Sequence, residues 1–231
     1  MLKLYIGNKN YSSWSMRAGV LMAQAGIAFD EVWVPFDAFA EGSEFKRTMA
    51  PLSPTAQVPL LVDGERRIWD SLGIAEYLAE RFPELQLWPA DAGARAVARS
   101  ICAEMHGGFH ALRSHCPMNI EADLSLQGGL VWRDRADVRA NVERIVAMWS
   151  ELLDRHAARH EHGMLFGRFC IADAYYAPVV MRLAGYALPV PAAIREYMAR
   201  VQALPGVKAW IEGALAEKQF VAFDEPYRLA R

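Results

Sequence analysis

Asn10-Tyr11-Ser12-Ser13-Trp14-Ser15-Met16-Arg17 decides how this chain of 231 residues is read. The stretch follows a short alternating run, Leu2-Lys3-Leu4-Tyr5-Ile6, which has the period of a strand. It opens a segment with Met16, Val20, Leu21 and Ala25 at helical spacing. Gly26 then supplies the residue that most readily ends a helix in a left-handed turn. Hydroxyls at such a strand-to-helix turn accept hydrogen bonds from the unpaired N–H groups of the first turn. The same place suits an anion, because free N–H groups and the positive end of the helix dipole converge there. A serine hydroxyl donating to a bound sulfur favours the thiolate and lowers the thiol's pKa. Taken alone, the stretch leaves capping and anion binding both open.

Outward from the turn, Ala28 to Val34 is aromatic and β-branched and reads as a second strand. With the first it makes a βαβ unit, whose strands are parallel. A short helix is expected near Ser43 to Met49. Pro51-Leu52-Ser53-Pro54-Thr55 reads as a loop. Val58-Pro59-Leu60-Leu61-Val62 is a strand with its proline near the start, where a missing N–H is tolerated. Asp63-Gly64 turns the chain back into Arg67-Ile68-Trp69. Asp70-Ser71 opens a helix with Ile74, Ala75, Leu78 and Phe82 on one face.

After Pro89 strand signals almost vanish. Helices are expected near Ala92 to Ser114, Asp137 to His160, Ile171 to Leu183, Ala192 to Ala203 and Val207 to Glu217, with Gln127-Gly128-Gly129 as a break. Asp224 to Arg231 reads as a surface tail. The expected division is an α/β domain over residues 1–82 in the order βαβαββα, a linker over 83–91, and an all-helical domain over 92–231.

The formal net charge of −2 lacks the basic excess of a nucleic-acid or polybasic membrane binder. Neither nucleic acid nor membrane is therefore an expected partner. No apolar run approaches the roughly 18 residues of a membrane span. Met1-Leu2-Lys3-Leu4-Tyr5 lacks the pattern of a secretory signal. Cys102, Cys116 and Cys170 are scattered and odd in number, which fits a reducing compartment. A cytoplasmic protein is expected. His156, His160 and His162 invite a metal reading, but no HExxH pattern or neighbouring cysteine supports it. A solvated helix end is expected there, and no metal.

A small βαβαββα domain with a thioredoxin-like order, followed by an all-helical domain, resembles the glutathione S-transferase superfamily. Four motifs in order carry the resemblance. Ser12-Ser13-Trp14-Ser15-Met16-Arg17 is similar to the Ser-Ser-Cys-Ser-x-Arg stretch of the zeta class, with Trp14 in place of its Cys. Gln57-Val58-Pro59 resembles the loop whose proline is cis throughout thioredoxin-like folds. Trp69-Asp70-Ser71 resembles the acidic-or-Gln-then-Ser pair that grips the γ-glutamyl end of glutathione. Phe166 to Ala174 resembles the signature of the helical domain.

The resemblance implies a transferase using glutathione as co-substrate, without a metal, and a homodimer with a role in detoxification. Ser12 falls on the zeta-class catalytic serine. Ser13 takes the role if the turn winds differently, and Ser15 belongs to the same surround. Where glutaredoxin-like relatives carry Cys-x-x-Cys, this chain has Ser12-x-x-Ser15, so the turn supports no dithiol cycle. Gln57, Val58 and Pro59 would bind the cysteinyl part, with the Val58 backbone pairing like an added strand. Asp70 and Ser71 would take the α-ammonium and α-carboxylate. The electrophile would lie against Met105, His106, Phe109, Met118 and Asn119, for each of which core packing is the competing reading. His106 is the one that can move a proton near neutral pH. Arg17 either attracts anions or is structural.

Two other functions stay open. One is a glutathione-dependent isomerase of the maleylacetoacetate type, in which glutathione adds and leaves unconsumed. The other is a scaffold that binds glutathione without catalysis. In the helical signature, Cys170 stands where a capping Ser or Thr is usual. Since a thiol is a weak acceptor, Cys170→Ser is expected to stabilise the fold.

Overall fold

A computed structural model describes residues 1–156 and 163–230. Strand β1 (Leu2–Ile6) buries Leu2, Leu4 and Ile6 and exposes Lys3, the alternation of a strand with one face on a core. The chain continues through α1 (Ser13–Gln24), β2 (Phe29–Trp33), α2 (Glu44–Met49), β3 (Leu60–Asp63), β4 (Arg66–Ile68) and α3 (Ser71–Arg81). The sheet order is β2-β1-β3-β4. β1 and β2 are parallel, with Leu2 opposite Phe29. The β1–β3 and β3–β4 pairs are antiparallel. This is the βαβαββα order read from the sequence, except that Trp69 lies beyond the strand and is 43% exposed.

A 3-10 turn at Pro83–Leu85 leads to the helical part. Its elements are α4 (Ala92–Gly107), α5 (His110–His115), α6 (Ser125–Asp134), α7 (Ala136–Arg155), α8 (Ile171–Gly185), α9 (Ala192–Ala203) and α10 (Pro205–Glu217).

Helices α1 and α8 organise the molecule. α1 is buried continuously from Ser15 to Met22, and α8 from Ile171 to Leu183. Such helices have apolar neighbours all round rather than along one stripe. α1 packs against α3, α8 and α10, and α8 also packs on α4 and α9. Trp149 of α7 meets Tyr176 and Tyr197 edge-on, with ring centroids 5.5 and 5.0 Å away. Beneath them Asp173 is wholly buried. Its carboxylate accepts hydrogen bonds from the N–H of Leu165 at 3.1 Å and Cys170 at 2.9 Å, and from the Tyr197 hydroxyl at 3.0 Å. Burial pushes its pKa up to about 6, while these three donors pull the other way.

Four expectations are corrected. The helix expected over 92–114 is two helices, because the chain turns at Phe109, which has a φ of +55° and buries its ring. Gln127-Gly128-Gly129 is no break: it lies inside α6. A Cβ on Gly128 would stand 1.7 Å from the Tyr186 carbonyl oxygen, so the glycine permits close helix contact rather than a turn.

The helix expected to reach His160 ends at Arg155, with His156 as its C-cap. His156 is buried beside the Phe166 ring rather than solvated. His160 and His162 lie outside the described residues.

The expected surface tail is pinned down. The Glu225 carboxylate accepts from the Tyr11 hydroxyl at 2.7 Å and from Asn119 Nδ2 at 2.9 Å, and the Tyr227 hydroxyl donates to the His115 carbonyl. Residues 221–228 form a strap over the N-terminal end of α1.

Candidate functional site

The start of α1 opens into a cleft of about 880 Å³ between the sheet layer and the helices. Ser12 is the N-cap, accepting from the Ser15 N–H at 3.4 Å. Its own hydroxyl donates to Ser15 Oγ at 2.7 Å, and Ser15 Oγ accepts from the Gly7 N–H at 3.2 Å. Ser15 is therefore part of the turn's internal bonding, fully buried and away from the cleft. Ser12 and Ser13 both line the cleft. Ser13 differs from Ser12 in one respect. Its oxygen accepts from Arg182 Nη2 at 3.1 Å, so its own proton is free to be donated into the cleft.

The other sulfur- and hydroxyl-bearing groups nearby are poorly placed as thiol activators or nucleophiles. The Tyr11 hydroxyl is committed to Glu225, and burial with that bond pushes its pKa up to about 12. Cys102, Cys116 and Cys170 are free and buried. Burial raises all three thiols, Cys116 to about 12, which keeps them protonated and unreactive.

Arg182 is 6% exposed and forms part of the cleft wall. It donates to the Cys116 carbonyl at 2.6 Å as well as to Ser13, while its Nε has no partner among the described residues. Burial lowers its pKa to about 10. Arg17, 3% exposed, is stacked between the rings of Trp14 and Tyr175, 4.2 Å from each. Its Nε and Nη1 have no hydrogen-bond partner among the described residues. Arg113 lies over Trp14 at 5.2 Å. Among the described residues none of the three forms an ion pair within 4 Å. Buried cations are ordinarily paired, so Arg113 and Arg182, which line the cleft, give this wall a positive potential. Asp224 of the strap is the carboxylate that faces it, raised to about 6 by burial and by Glu225, with Arg182 pulling it down.

The second wall comes from the sheet layer. The Val58–Pro59 peptide is cis, as the resemblance implied. The Val58 N–H and C=O carry no hydrogen bond among the described residues. Gln57, Val58 and Pro59 line the cleft with Asp70 and Ser71. Asp70 caps α3, accepting from the Leu72 N–H at 2.9 Å. Its other oxygen is 3.0 Å from His106 Nε2. His106 Nδ1 is 2.9 Å from the Tyr175 hydroxyl, which is 2.9 Å from Ser71 Oγ. His106 therefore stands at the Asp70–Ser71 end of the cleft.

Of the residues expected to meet an electrophile, His106 and Met118 line the cleft. Met105 and Phe109 are core, and Asn119 is buried, bonded to Asn10 and Glu225. Sequence reasoning missed Arg182, Asp224 and Tyr175. Arg182 and Tyr175 sit in an apolar helix whose pattern reads as core, and nothing local marks them as facing a turn far away in sequence. Among the described residues no group of three His, Cys, Asp or Glu could hold a metal, and no helix is long and apolar enough to cross a membrane.

Two family models match the chain. Residues 11–81 match the N-terminal domain of glutathione S-transferase, and residues 131–213 its C-terminal domain. A zeta-class glutathione S-transferase of Euphorbia esula is 28% identical over 180 residues, 78% of this chain and 74% of that protein. A maleylacetoacetate isomerase of Rattus norvegicus is 29% identical over 126 residues, 54% of this chain and 56% of that protein. The crystal structure of a glutathione transferase homologue from Burkholderia, with bound glutathione, is 25% identical with a TM-score of 0.68, covering 93% of this chain and 98% of that one.

Proposed function

Since the chain belongs to the glutathione S-transferase superfamily, we propose that it binds glutathione in this cleft and activates its thiol through Ser13. The observation that carries the choice of serine is the Arg182 Nη2–H to Ser13 Oγ bond. With Arg182 donating to its oxygen, the Ser13 hydroxyl is polarised and keeps its proton for sulfur. Ser12 caps the helix and, as long as it donates to Ser15, has no proton for a ligand. The positive end of α1 and the unpaired guanidinium groups favour the thiolate further. Asp70 and Ser71 take the γ-glutamyl end, and the free Val58 backbone pairs with the cysteinyl unit.

In the reaction, the thiol proton leaves to solvent and the thiolate attacks an electrophilic carbon. A C–S bond forms as the leaving group departs with its electron pair. Met118 and Trp14 supply apolar surface for the electrophile. The division into residues 1–82 and 92–231 places this site between two domains. A cytoplasmic homodimer acting in detoxification accords with the family.

A second reading is isomerisation: glutathione adds to a double bond and leaves again. The unpaired arginines favour it, because they suit an acidic substrate, and so do the relatives named maleylacetoacetate isomerase. Product analysis separates the two, since a conjugate accumulates in one and glutathione is regenerated in the other.

The test is an ultraviolet difference titration of bound glutathione. The wild type should show a thiolate signal with a lowered pKa. Ser13→Ala should remove most of that shift and reduce kcat/KM by about 10- to 100-fold, the worth of a hydrogen bond to a charged group. A shift that survives Ser13→Ala and vanishes in Ser12→Ala would move the role to Ser12. Binding without any pKa shift in the wild type would leave a scaffold protein.

A further inference from the structure

Residues Ser71, Tyr175, His106 and Asp70 form a closed loop of contacts between α3, α8 and α4, at 2.9, 2.9 and 3.0 Å in that order. Two of them, Asp70 and Ser71, are adjacent in sequence. The other two reach them from the helical part. Ser71 and Tyr175 are each 1% exposed, so water cannot substitute for a missing partner in the middle of the chain.

We propose that glutathione binding is coupled to uptake of a proton by His106, which reverses the hydrogen bonds running from its Nδ1 through Tyr175 to Ser71 and frees the Ser71 hydroxyl to donate to the ligand's α-carboxylate. The inference rests on the glutathione reading above.

The direction of each bond follows from what each group can do. The Asp70 carboxylate only accepts, so its 3.0 Å approach to His106 Nε2 is met by the tautomer that carries a proton there. In a neutral imidazole the other nitrogen then accepts, so the Tyr175 hydroxyl donates to Nδ1. The Tyr175 oxygen is left to accept, and Ser71 donates to it. In that state the Ser71 proton points away from the cleft. An arriving carboxylate meets oxygen lone pairs at Ser71, with only the backbone N–H of the helix start to bind it.

One added proton reverses the two bonds beyond Nδ1 and leaves the Nε2–Asp70 contact as it was. Imidazolium donates from both nitrogens. The Tyr175 oxygen accepts from Nδ1–H, its hydroxyl turns to donate to Ser71 Oγ, and the Ser71 proton is released towards the cleft. The proton enters at the 29%-exposed imidazole, and its effect appears two hydrogen bonds away at a buried serine.

The groups facing His106 decide how the balance is set. Asp70 of α3 approaches Nε2 at 3.0 Å. Trp14 of α1 presents its ring at 5.0 Å, and Tyr175 of α8 accepts or donates as described. Arg113 of α5 donates to the His106 carbonyl at 3.3 Å, and Arg17 of α1 is stacked between the Trp14 and Tyr175 rings. The ligand carboxylate accepts the proton that Ser71 then offers, and this added bond is what links protonation to binding.

The experiment is isothermal titration calorimetry with S-methylglutathione, which has no thiol proton to release. Wild-type protein is titrated near pH ~7.5, above the ordinary histidine value, in buffers of different ionisation enthalpy. The expected result is uptake of up to about one proton per bound ligand, with affinity weakening by up to about tenfold per pH unit as pH rises. Tyr175→Phe and His106→Gln should each abolish the uptake and flatten the pH dependence. If Tyr175→Phe does not fold, His106→Gln at its partly exposed site carries the comparison.

Wild-type binding with no proton uptake would overturn the inference and leave the glutathione reading standing. Uptake that persists in His106→Gln would also overturn it. If the wild type binds neither glutathione nor S-methylglutathione, the glutathione reading falls and the inference falls with it.

Discussion

Two buried helix beginnings face the same interior and are built in opposite ways. At the start of α8, the Asp173 carboxylate gathers the N–H groups of Leu165 and Cys170 and the Tyr197 hydroxyl, with no exposure to solvent. Its surroundings are closed. At the start of α1, Ser13 takes a bond from Arg182 and offers its own proton to a cleft, while Arg17 and Arg182 keep N–H groups without partners among the described residues. The first arrangement is finished by the fold. The second leaves guanidinium N–H groups and a serine proton for a ligand to meet. The difference teaches which helix start holds the structure together and which is prepared for a ligand.

The largest effect expected from breaking this contrast is at Asp173. Asp173→Ala leaves three buried donors unpaired, and should cost about 3–5 kcal/mol, the range for breaking a buried charged network. A thermal melt reads it directly. The wild type also carries a pH signature. Because the folded pKa is raised to about 6 from 3.8, the contribution of this group is fully present below its unfolded value and is lost as pH rises through about 6. The loss amounts to roughly 3 kcal/mol for a shift of about two units. Asp173→Asn should lack this component, so the difference between the two melts should change across that window. A constant difference would show that the buried carboxylate titrates as in the unfolded chain.

At α1 the same operation should fall on activity. Arg182→Met removes a buried charge that forms no ion pair within 4 Å among the described residues, so the stability it returns offsets the lost bond to the Cys116 carbonyl. The melting midpoint should change by no more than the equivalent of about 1 kcal/mol, since functional charges are often held at a cost to stability. The thiolate signal of bound glutathione should shift to higher pH, and kcat/KM should fall about 10- to 100-fold. If Arg182→Met unfolds the protein while leaving the thiol shift intact in the folded fraction, the two helix starts are alike and the contrast is wrong.

The contrast was half legible in the sequence. Strand alternation at Leu2 to Ile6, the Ser12 cap and the Asp63-Gly64 turn depend on neighbours along the chain, and they can be read from it. So can the pairing of Asp70 and Ser71 at one helix start. Arg182, Tyr175 and Asp224 could not be read, because what matters about them is a partner from another element. Arg182 meets Ser13 across 169 positions, and Tyr175 meets Ser71 across 104. In a helix buried on every side, a polar residue leaves no periodic trace of which way it points. Gly128 misled for a related reason: glycine marks a turn or a close approach alike, and the Tyr186 carbonyl that explains it stands at the C-cap of α8. The strap escaped notice because its polar composition is that of a surface tail, and Glu225 has its partners in Tyr11 and Asn119.

The smallest expected effect sharpens the finished side of the comparison. At α8 the capping box is complete in outline, with the Asp173 carboxylate accepting from the Cys170 N–H and a sulfur where a hydroxyl oxygen is usual. The Cys170 thiol is buried, pushed far up by desolvation, and faces the carboxylate as well as the Asp173 N–H. An oxygen in its place accepts the N–H more strongly and donates to the carboxylate over a shorter distance. Against this stands the loss of sulfur's apolar contacts in the core cluster. Because the hydroxyl has both a donor and an acceptor waiting, it is buried without an unmet group, and the balance favours oxygen. Cys170→Ser should raise the unfolding free energy by up to about 1 kcal/mol, leaving the glutathione thiol shift unchanged. A loss of stability would show that the site is finished by packing around sulfur rather than by hydrogen bonds. The contrast with α1 would then rest on Asp173 alone.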